Sequence, residues 1–525
     1  MFPDWWTVCT SALAGAAALV AFWWYRYHTY FARRGVPYVA PLPFIGNTLD
    51  TVLGRTALTD LLVVMYKKFE KHPYAGFYFF GRPVIMLRDP EIVRTITIKD
   101  FDHFTDHLDM INSDTNDPLL QKMLLTLKGK EWHDMRTTLS PAFTTSKIKN
   151  MFVLMTEIGQ QMVTHLSERI AEHKGSSGED VLTMEMKDFF TRVTNDVIAT
   201  TAFGVRVDSL SDPNNTFYTM GRTMSNMKAL VAFGYFCSPK LMKLLNIPFF
   251  DRRAEQYFRS VVAETIRTRD REGIVRPDVI QLLMQARSGE LAAEEEEKNG
   301  LSGGRRMKLT EEDVAAQAMF FFVAGFETVA TVLTFCCYLL ATNEDVQRRL
   351  QQEVDDVMKK SGGQPSYEQV VGSQYLDMVV SETLRMYTPG SASDRKCVRA
   401  YRLPGTASCP RGLLLQPGDG VQIPAHAFHH DEAFFPDPER FDPERFSPEN
   451  KHLIKPFTYI PFGVGPRICI AQRFALLELK VVLVYLLSSF SIQVVDKTPI
   501  PLQIKPNSVQ LSIKGGAWLG IRPRS

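Results

Sequence analysis

The feature that most constrains this chain lies in its middle. From residue 314 to 341 there are 28 residues with a single charge, Glu327. Thr310 followed by Asp313 supplies a capping-box start, so the run predicts one long helix. Such a helix either crosses a membrane or is buried on all sides within a large soluble domain. An acidic side chain near the centre of a membrane span costs about 2.5–3.5 kcal/mol, which favours the buried helix. Phe321, Ala324, Gly325 and Thr328 share one face by i, i+3, i+4, i+7 spacing. Small residues at 324 and 325, beside a hydroxyl, leave room for something large against the backbone.

A second apolar run opens the chain. Residues 5–25 are 21 positions with no charged side chain; as a helix they cover about 31 Å, close to a bilayer's hydrocarbon thickness. Trp5, Trp6, Trp23, Trp24 and Tyr25 stand at its ends, where aromatic belts belong. Ala14-Gly15-Ala16 resembles a signal cleavage triplet, but no Lys or Arg precedes the run and the run continues past it. Asp4 lies before it and Arg26, Arg33 and Arg34 after it, so a retained anchor with the bulk of the chain in the cytosol is expected. Residues 1–34 are read as the anchor and 35–525 as the folded domain. Pro37, Pro41 and Pro43 make residues 35–46 either a stiff spacer or an ordinary loop.

Composition narrows the function. The 525 residues are 45% hydrophobic and 22% charged, ordinary globular values that exclude wholesale disorder. With 60 Lys+Arg against 58 Asp+Glu the formal charge is +2, so no global field steers nucleic acid. Seven cysteines are too few for a disulfide scaffold, and adjacent Cys336 and Cys337 suit reduced thiols. Hairpins are predicted from 74–80 with 84–87, and from 509–513 with 518–521 across Gly515-Gly516. Helices are predicted over 153–172 and 258–269, and residues 287–306 read as a solvated connector. His426, His429 and His430 have no cysteine or carboxylate at metal-finger spacing and read as a surface loop.

The chemistry lies in Pro461-Phe462-Gly463-Val464-Gly465-Pro466-Arg467-Ile468-Cys469-Ile470-Ala471, a glycine-rich loop that presents one cysteine just before a helical pattern. A thiol at a helix N-terminus is expected to have its pKa lowered, ready to attack or to bind metal. Phe462, Gly465, Arg467 and Cys469 stand at F-x-x-G-x-R-x-C spacing. With those residues the chain resembles the cytochrome P-450 haem-thiolate family. Other elements agree in order: Trp132 and Arg136 as W-x-x-x-R, Ala324-Gly325-Phe326-Glu327-Thr328, Glu382 and Arg385 as E-x-x-R, and Pro443-Glu444-Arg445-Phe446.

The resemblance implies a mainly α fold with small β-sheets, the cytochrome P-450 fold, preceded by one transmembrane helix. It implies haem b, with Cys469 as axial thiolate pushing electron density onto iron and Phe462 shielding the sulfur. Arg467, Arg136, the Trp132 indole and Arg395 are the expected partners of the haem propionates, and Ala324 lies on the helix that faces the haem. Glu327 and Thr328 are expected to serve proton delivery to dioxygen, although Thr328 can equally back-bond to the Ala324 carbonyl. Glu382, Arg385 and Arg445 are expected to be a structural ion cluster. Ala471 stands where glycine is common, Val329 where a second hydroxyl is frequent, and Thr388-Pro389-Gly390 where paired prolines are usual. The last departure bears on the pocket, whose expected contributors include Phe104, Leu108, residues 233–236, Phe320 and Phe321, 390–392 and 508–510.

The expected activity is a monooxygenase that puts one atom of O2 into lipophilic small molecules, hormone-like or xenobiotic. The sequence has no nucleotide fingerprint and no flavin-domain extension, so electrons are expected from a separate NADPH-cytochrome P-450 reductase, with cytochrome b5 as a second donor. Lys128, Lys130 and Arg473 are candidates to meet an acidic partner. The chain is similar to the animal microsomal branch, insect members among them, which implies the endoplasmic reticulum membrane with the catalytic domain in the cytosol. Two other readings are a haem-thiolate isomerase or dehydratase that needs no O2, and a non-catalytic haem sensor; Glu327-Thr328 argues against the first.

Overall fold

The computed structural model describes residues 5–108, 116–226, 229–289, 308–506 and 511–524. The predicted connector and residues 508–510 of the expected pocket therefore lie largely or wholly outside the described residues. The chain is mainly helical with small sheets. Its contacts divide it into two units, Met1–Leu108 with Ala392–Pro424, and Asp109–Ser391 with Ala425–Ser525.

In the first unit the strands Tyr74–Phe79, Arg82–Leu87, Gly420–Ile423 and Ser393–Lys396 form one sheet in that order. The first pair is the predicted hairpin, with Tyr74 opposite Leu87 and Phe79 opposite Arg82. Gly76 is required there: a Cβ would lie 2.5 Å from the Phe31 ring, which is fully buried. The proline-containing segment is tied to the same strand, Gly76 donating to the Pro37 carbonyl at 2.8 Å and Tyr78 to Asn47 at 2.7 Å. Arg34 pairs with Asp419 at 2.9 Å. The N-terminal helix, Trp5–His28, carries exposed side chains along most of its length, Trp5 at 78% and Leu13 at 71%.

The second unit is built round the predicted central helix, Glu311–Thr342, which opens with the Thr310–Asp313 capping box. Its most apolar stretch has a mean hydropathy of 1.8 and is 67% buried, so it is a core helix. The helix Met186–Ile198 packs along it, and Gln472–Ser489 packs along Thr145–Ser177. Phe203, Phe217, Phe258 and Phe322 meet edge-on or tilted, with ring centroids 4.5 to 5.9 Å apart. The predicted helices at 153–172 and 258–269 fall inside Thr145–Ser177 and Arg252–Glu272.

The second hairpin is corrected. Trp518–Pro523 is the middle strand of a three-stranded sheet between Leu182–Glu185 and Phe490–Gln493. Ile513 bridges to Ile504 instead, with Lys505 donating to Ser512 and Lys514 to Gln503. Leu519, Gly520 and Ile521 are buried in succession between two non-local partner strands, which local turn signals do not reveal.

Candidate active site: a cysteine loop and a central helix

The cysteine loop is shaped by two glycines. Gly463 and Gly465 have φ of 75° and 74°, a region that side chains with a Cβ rarely adopt. The Cys469 N–H donates to the Phe462 carbonyl at 2.9 Å and Ile468 to Gly465 at 2.9 Å, closing the loop on itself. The helix Gln472–Ser489 begins three residues beyond the cysteine. The Ala471 N–H is directed at the sulfur, and the Arg136 guanidinium is its charged neighbour. Burial nonetheless pushes the Cys469 thiol up, with Ala471 and Arg136 opposing. This corrects the expected lowering: desolvation by surrounding protein outweighs the helix terminus. Cys469 is still an exposed residue by accessibility, so its thiol faces open space within that protein surround.

Trp132 and Arg136 lie on the helix Gly129–Leu139, as W-x-x-x-R predicts. The Arg467 guanidinium stacks 4.0 Å from the Trp132 ring centroid and donates to the Leu127 carbonyl at 2.9 Å and, at 3.4 Å, to Leu124. Trp132, Arg136, Phe462, Arg467 and Cys469 are thus gathered within the second unit. Arg136 has no carboxylate partner among the described residues; burial lowers its pKa and Cys469 opposes that. Arg395 belongs to the first unit, on the strand Ser393–Lys396, where it donates to the Asp394 carbonyl at 2.6 Å. It is almost wholly buried, which pushes its pKa down to about 10 against the pull of Asp394.

On the central helix Ala324 is exposed although most of its neighbours are buried. Gly325 is different: a Cβ there would lie 2.7 Å from Ile198, so its small size serves the packing of Met186–Ile198 rather than a ligand. Phe321 is buried against Phe143. Thr328 donates to the Ala324 carbonyl at 2.6 Å, the back-bond weighed above. Glu327 is ion-paired with Lys187 at 2.7 Å. Lys187 also donates to the Glu327 carbonyl at 3.1 Å and to Thr331 at 2.9 Å, and Thr194 donates to the Phe326 carbonyl at 2.8 Å. Neither Lys187 nor Thr194 was legible as a site residue; only their place on an adjacent helix reveals them.

The surrounding frame agrees with the structural reading of the ion cluster. Arg385 binds both oxygens of Glu382, Arg445 reaches the same carboxylate at 3.4 Å, and the Asp442 N–H adds a bond at 3.0 Å. The histidines are corrected: His426, His429 and His430 are buried on or beside the short helix Ala425–His429. His429 accepts from the Ile460 N–H at 2.9 Å and contacts the Arg385 carbonyl at 3.1 Å, so its ring is a framework joint. Among the described residues no cluster of His, Cys, Asp and Glu could hold a metal ion. None of the seven cysteines, buried Cys336 and Cys337 among them, is paired in a disulfide. Of the cationic candidates, Lys130 pairs with Asp134 at 2.6 Å and Arg473 donates to Thr145 at 3.1 Å.

A mainly helical chain that offers a cysteine from a glycine loop, with Arg467 stacked on Trp132 and with Arg136, which has no carboxylate partner among the described residues, in the same unit, has the makings of a haem-thiolate protein. The chain belongs to the cytochrome P-450 family, whose sequence pattern matches residues 36–519. It is 45% identical to cytochrome P-450 9e2 of Blattella germanica, over 99% of this chain and 98% of that one. It is 38% identical to probable cytochrome P-450 9f2 of Drosophila melanogaster (97% and 98% covered) and 37% identical to cytochrome P-450 6k1 of Blattella germanica (97% and 96%). The protein is accordingly a haem-thiolate monooxygenase, an oxidoreductase that binds haem b, uses O2 and a redox partner, and acts on lipophilic compounds, xenobiotic or endogenous.

Proposed function

We propose that Cys469 would hold the haem iron through its thiolate and that the residues gathered round it are built for that group. The observation that carries this is the Cys469 thiol, open-faced on its loop with the Ala471 N–H directed at its sulfur. Such a donor stabilises a thiolate and tunes it. Arg136, lacking a carboxylate partner among the described residues, and Arg467, held flat on Trp132, are suited to two propionates, with the Trp132 indole as a further donor. Phe462 is assigned the role of shielding the sulfur from water, and Ala324, exposed on the central helix, that of leaving room for the haem. Bound haem supplies the electron-transfer chemistry that activates O2. Around it Glu327 and Thr328 hold and pass protons, Glu327 from a carboxylate steadied by Lys187 and Thr328 by turning its hydroxyl from the Ala324 carbonyl.

Residues 1–34 are the membrane anchor and 35–525 the haem domain. The support is an apolar helix with exposed side chains, aromatic at both ends and followed by Arg26, Arg33 and Arg34. That asymmetry puts the catalytic domain on the cytosolic side of the endoplasmic reticulum membrane. There an NADPH-cytochrome P-450 reductase is the electron donor, with cytochrome b5 as auxiliary, and Lys128, Lys130 and Arg473 meet the acidic partner. Substrates are hormone-like or foreign lipophilic molecules.

Turnover of a lipophilic substrate panel under 18O2, with NADPH and reductase, tests this. One labelled oxygen atom per product molecule is expected, the other appearing in water. Equal turnover of a lipid hydroperoxide without O2 or reductant would instead mark an isomerase.

A further inference from the structure

Gln317 is the only amide side chain between residues 314 and 341, and none of it is exposed. Packing a core helix asks for no such group, and a buried amide left unbonded is costly. Gln317 satisfies its amide on one neighbouring segment. Its Oε1 accepts from the Leu124 N–H at 3.0 Å, and its Nε2 donates to the Lys122 carbonyl at 2.6 Å. Lys122 ends the short helix Pro118–Lys122, and from Met123 the backbone turns, with the Thr126 and Leu127 N–H groups donating to the Met123 carbonyl at 2.9 and 3.1 Å. Main-chain groups on a buried turn need partners from outside it, and Gln317 supplies them from the central helix.

That turn carries the acceptors of Arg467. The Leu124 and Leu127 carbonyls accept from its guanidinium at 3.4 and 2.9 Å, and Trp132, on which it stacks, belongs to the helix that begins at Gly129, two residues beyond Leu127. Lys122 also pairs with Glu312 at 2.8 Å and Asp313 at 3.3 Å, but its ammonium is partly exposed, whereas Gln317 is closed off from solvent. Gln317 shares a face of the central helix with Phe321, Ala324 and Thr328, by i, i+4, i+7, i+11 spacing. One face thus bears both the residue assigned to leave room for the haem and the amide that holds the arginine's acceptors.

We infer that Gln317 is a positioning residue that fixes residues 122–127 on the central helix and so sets where the Arg467 guanidinium stands. The inference rests on the proposed role of Arg467 as a propionate partner. Gln317 acts through the Leu124 and Leu127 carbonyls, and its contribution to haem retention passes through the arginine.

The test follows haem loss from the purified full-length holoprotein into excess apomyoglobin, for wild type, Gln317→Met, Arg467→Ala and the double variant. Gln317→Met leaves the Leu124 N–H and the Lys122 carbonyl unbonded, and haem transfer is expected to become about fivefold faster. Arg467→Ala accelerates it at least as much, and the double variant is no faster than Arg467→Ala alone, because the amide acts through the arginine. A residue that only stabilised the fold would add its effect in both backgrounds. Wild-type haem loss in Gln317→Met, or additive loss in the double variant, would overturn the inference. Wild-type haem loss in Arg467→Ala would instead remove the arginine from the propionate set, and the inference with it. If Gln317→Met does not fold, hydrogen exchange at the Leu124 amide decides. Slow exchange in wild type, and equally slow exchange in Arg467→Ala, is expected. Fast exchange in wild type, or release of that amide in Arg467→Ala, would mean that Gln317 does not hold the turn and would overturn the inference.

Discussion

The Arg385 guanidinium grips both carboxylate oxygens of Glu382, at 2.7 and 2.8 Å, and neither side chain is exposed at all. The same guanidinium donates to the His429 and Pro438 carbonyls at 2.7 Å each and to the Arg440 carbonyl at 3.4 Å, so one cation joins five acceptors. Removing one partner of a buried pair leaves the other uncompensated. Arg385→Ala is expected to lose about 3–5 kcal/mol of stability. Arg385→Lys recovers little, because an ammonium cannot reproduce the two-pronged geometry. Thermal unfolding of the two variants beside wild type checks this.

Acid sensitivity is built into the buried histidines. Burial, with His430 and then Arg385 adding at His429, holds the pKa values of His426 and His429 well below 6.5. Once unfolded, each ring binds a proton below about pH 6.5, so the unfolded state then carries more protons and stability falls as pH drops through that value. The slope is up to about 1.4 kcal/mol per pH unit for each ring. Denaturation midpoints at pH 7.5 and 5.5 should show this loss. His429→Gln should make it shallower while lowering stability at pH 7.5, where the Ile460 N–H loses its acceptor.

Glu478, nine residues beyond the cysteine, is fully buried, and neither carboxylate oxygen has a partner among the described residues. Burial pushes its pKa well above the usual carboxylate range, favouring the neutral acid. An unsatisfied buried group of this kind costs about 1–3 kcal/mol. Glu478→Met is expected to raise stability by about that amount, while Glu478→Gln gains nothing. A melting comparison of the two against wild type decides it.

Arg467 does two jobs with one flat group, stacking on Trp132 and bonding the Leu127 carbonyl. If it also receives a propionate, Arg467→Ala lowers the haem content per polypeptide, and Arg467→Lys restores charge without restoring content. The ratio of Soret to protein absorbance in purified samples reads this directly. Full haem content in Arg467→Ala would remove the arginine from the propionate set.

What sequence reasoning reached was local. The central helix and its Thr310–Asp313 cap, the 74–87 hairpin and the cysteine loop are each specified by residues within one turn or one loop of each other. The Glu327–Lys187 pair is not, since its members are 140 positions apart and only the packing of two helices brings them together. Gly325 illustrates the same limit: its size was legible, but Ile198, which requires that size, was not. The three histidines looked like a loop because their polarity was visible, whereas the backbone groups that hold the His429 and His430 rings inside the fold were not. At Cys469 the helix terminus was legible and the surrounding desolvation, which outweighs it, came only with tertiary structure.

The central claim is that Cys469 carries the haem as its thiolate ligand. The most direct measurement is the reduced carbon-monoxide difference spectrum of membranes expressing wild type, beside Cys469→Ala. A strongly red-shifted Soret band in wild type that is absent from the variant is the predicted result. The same red-shifted band in both proteins, or an unshifted band in wild type, would contradict the assignment of Cys469 as the ligand.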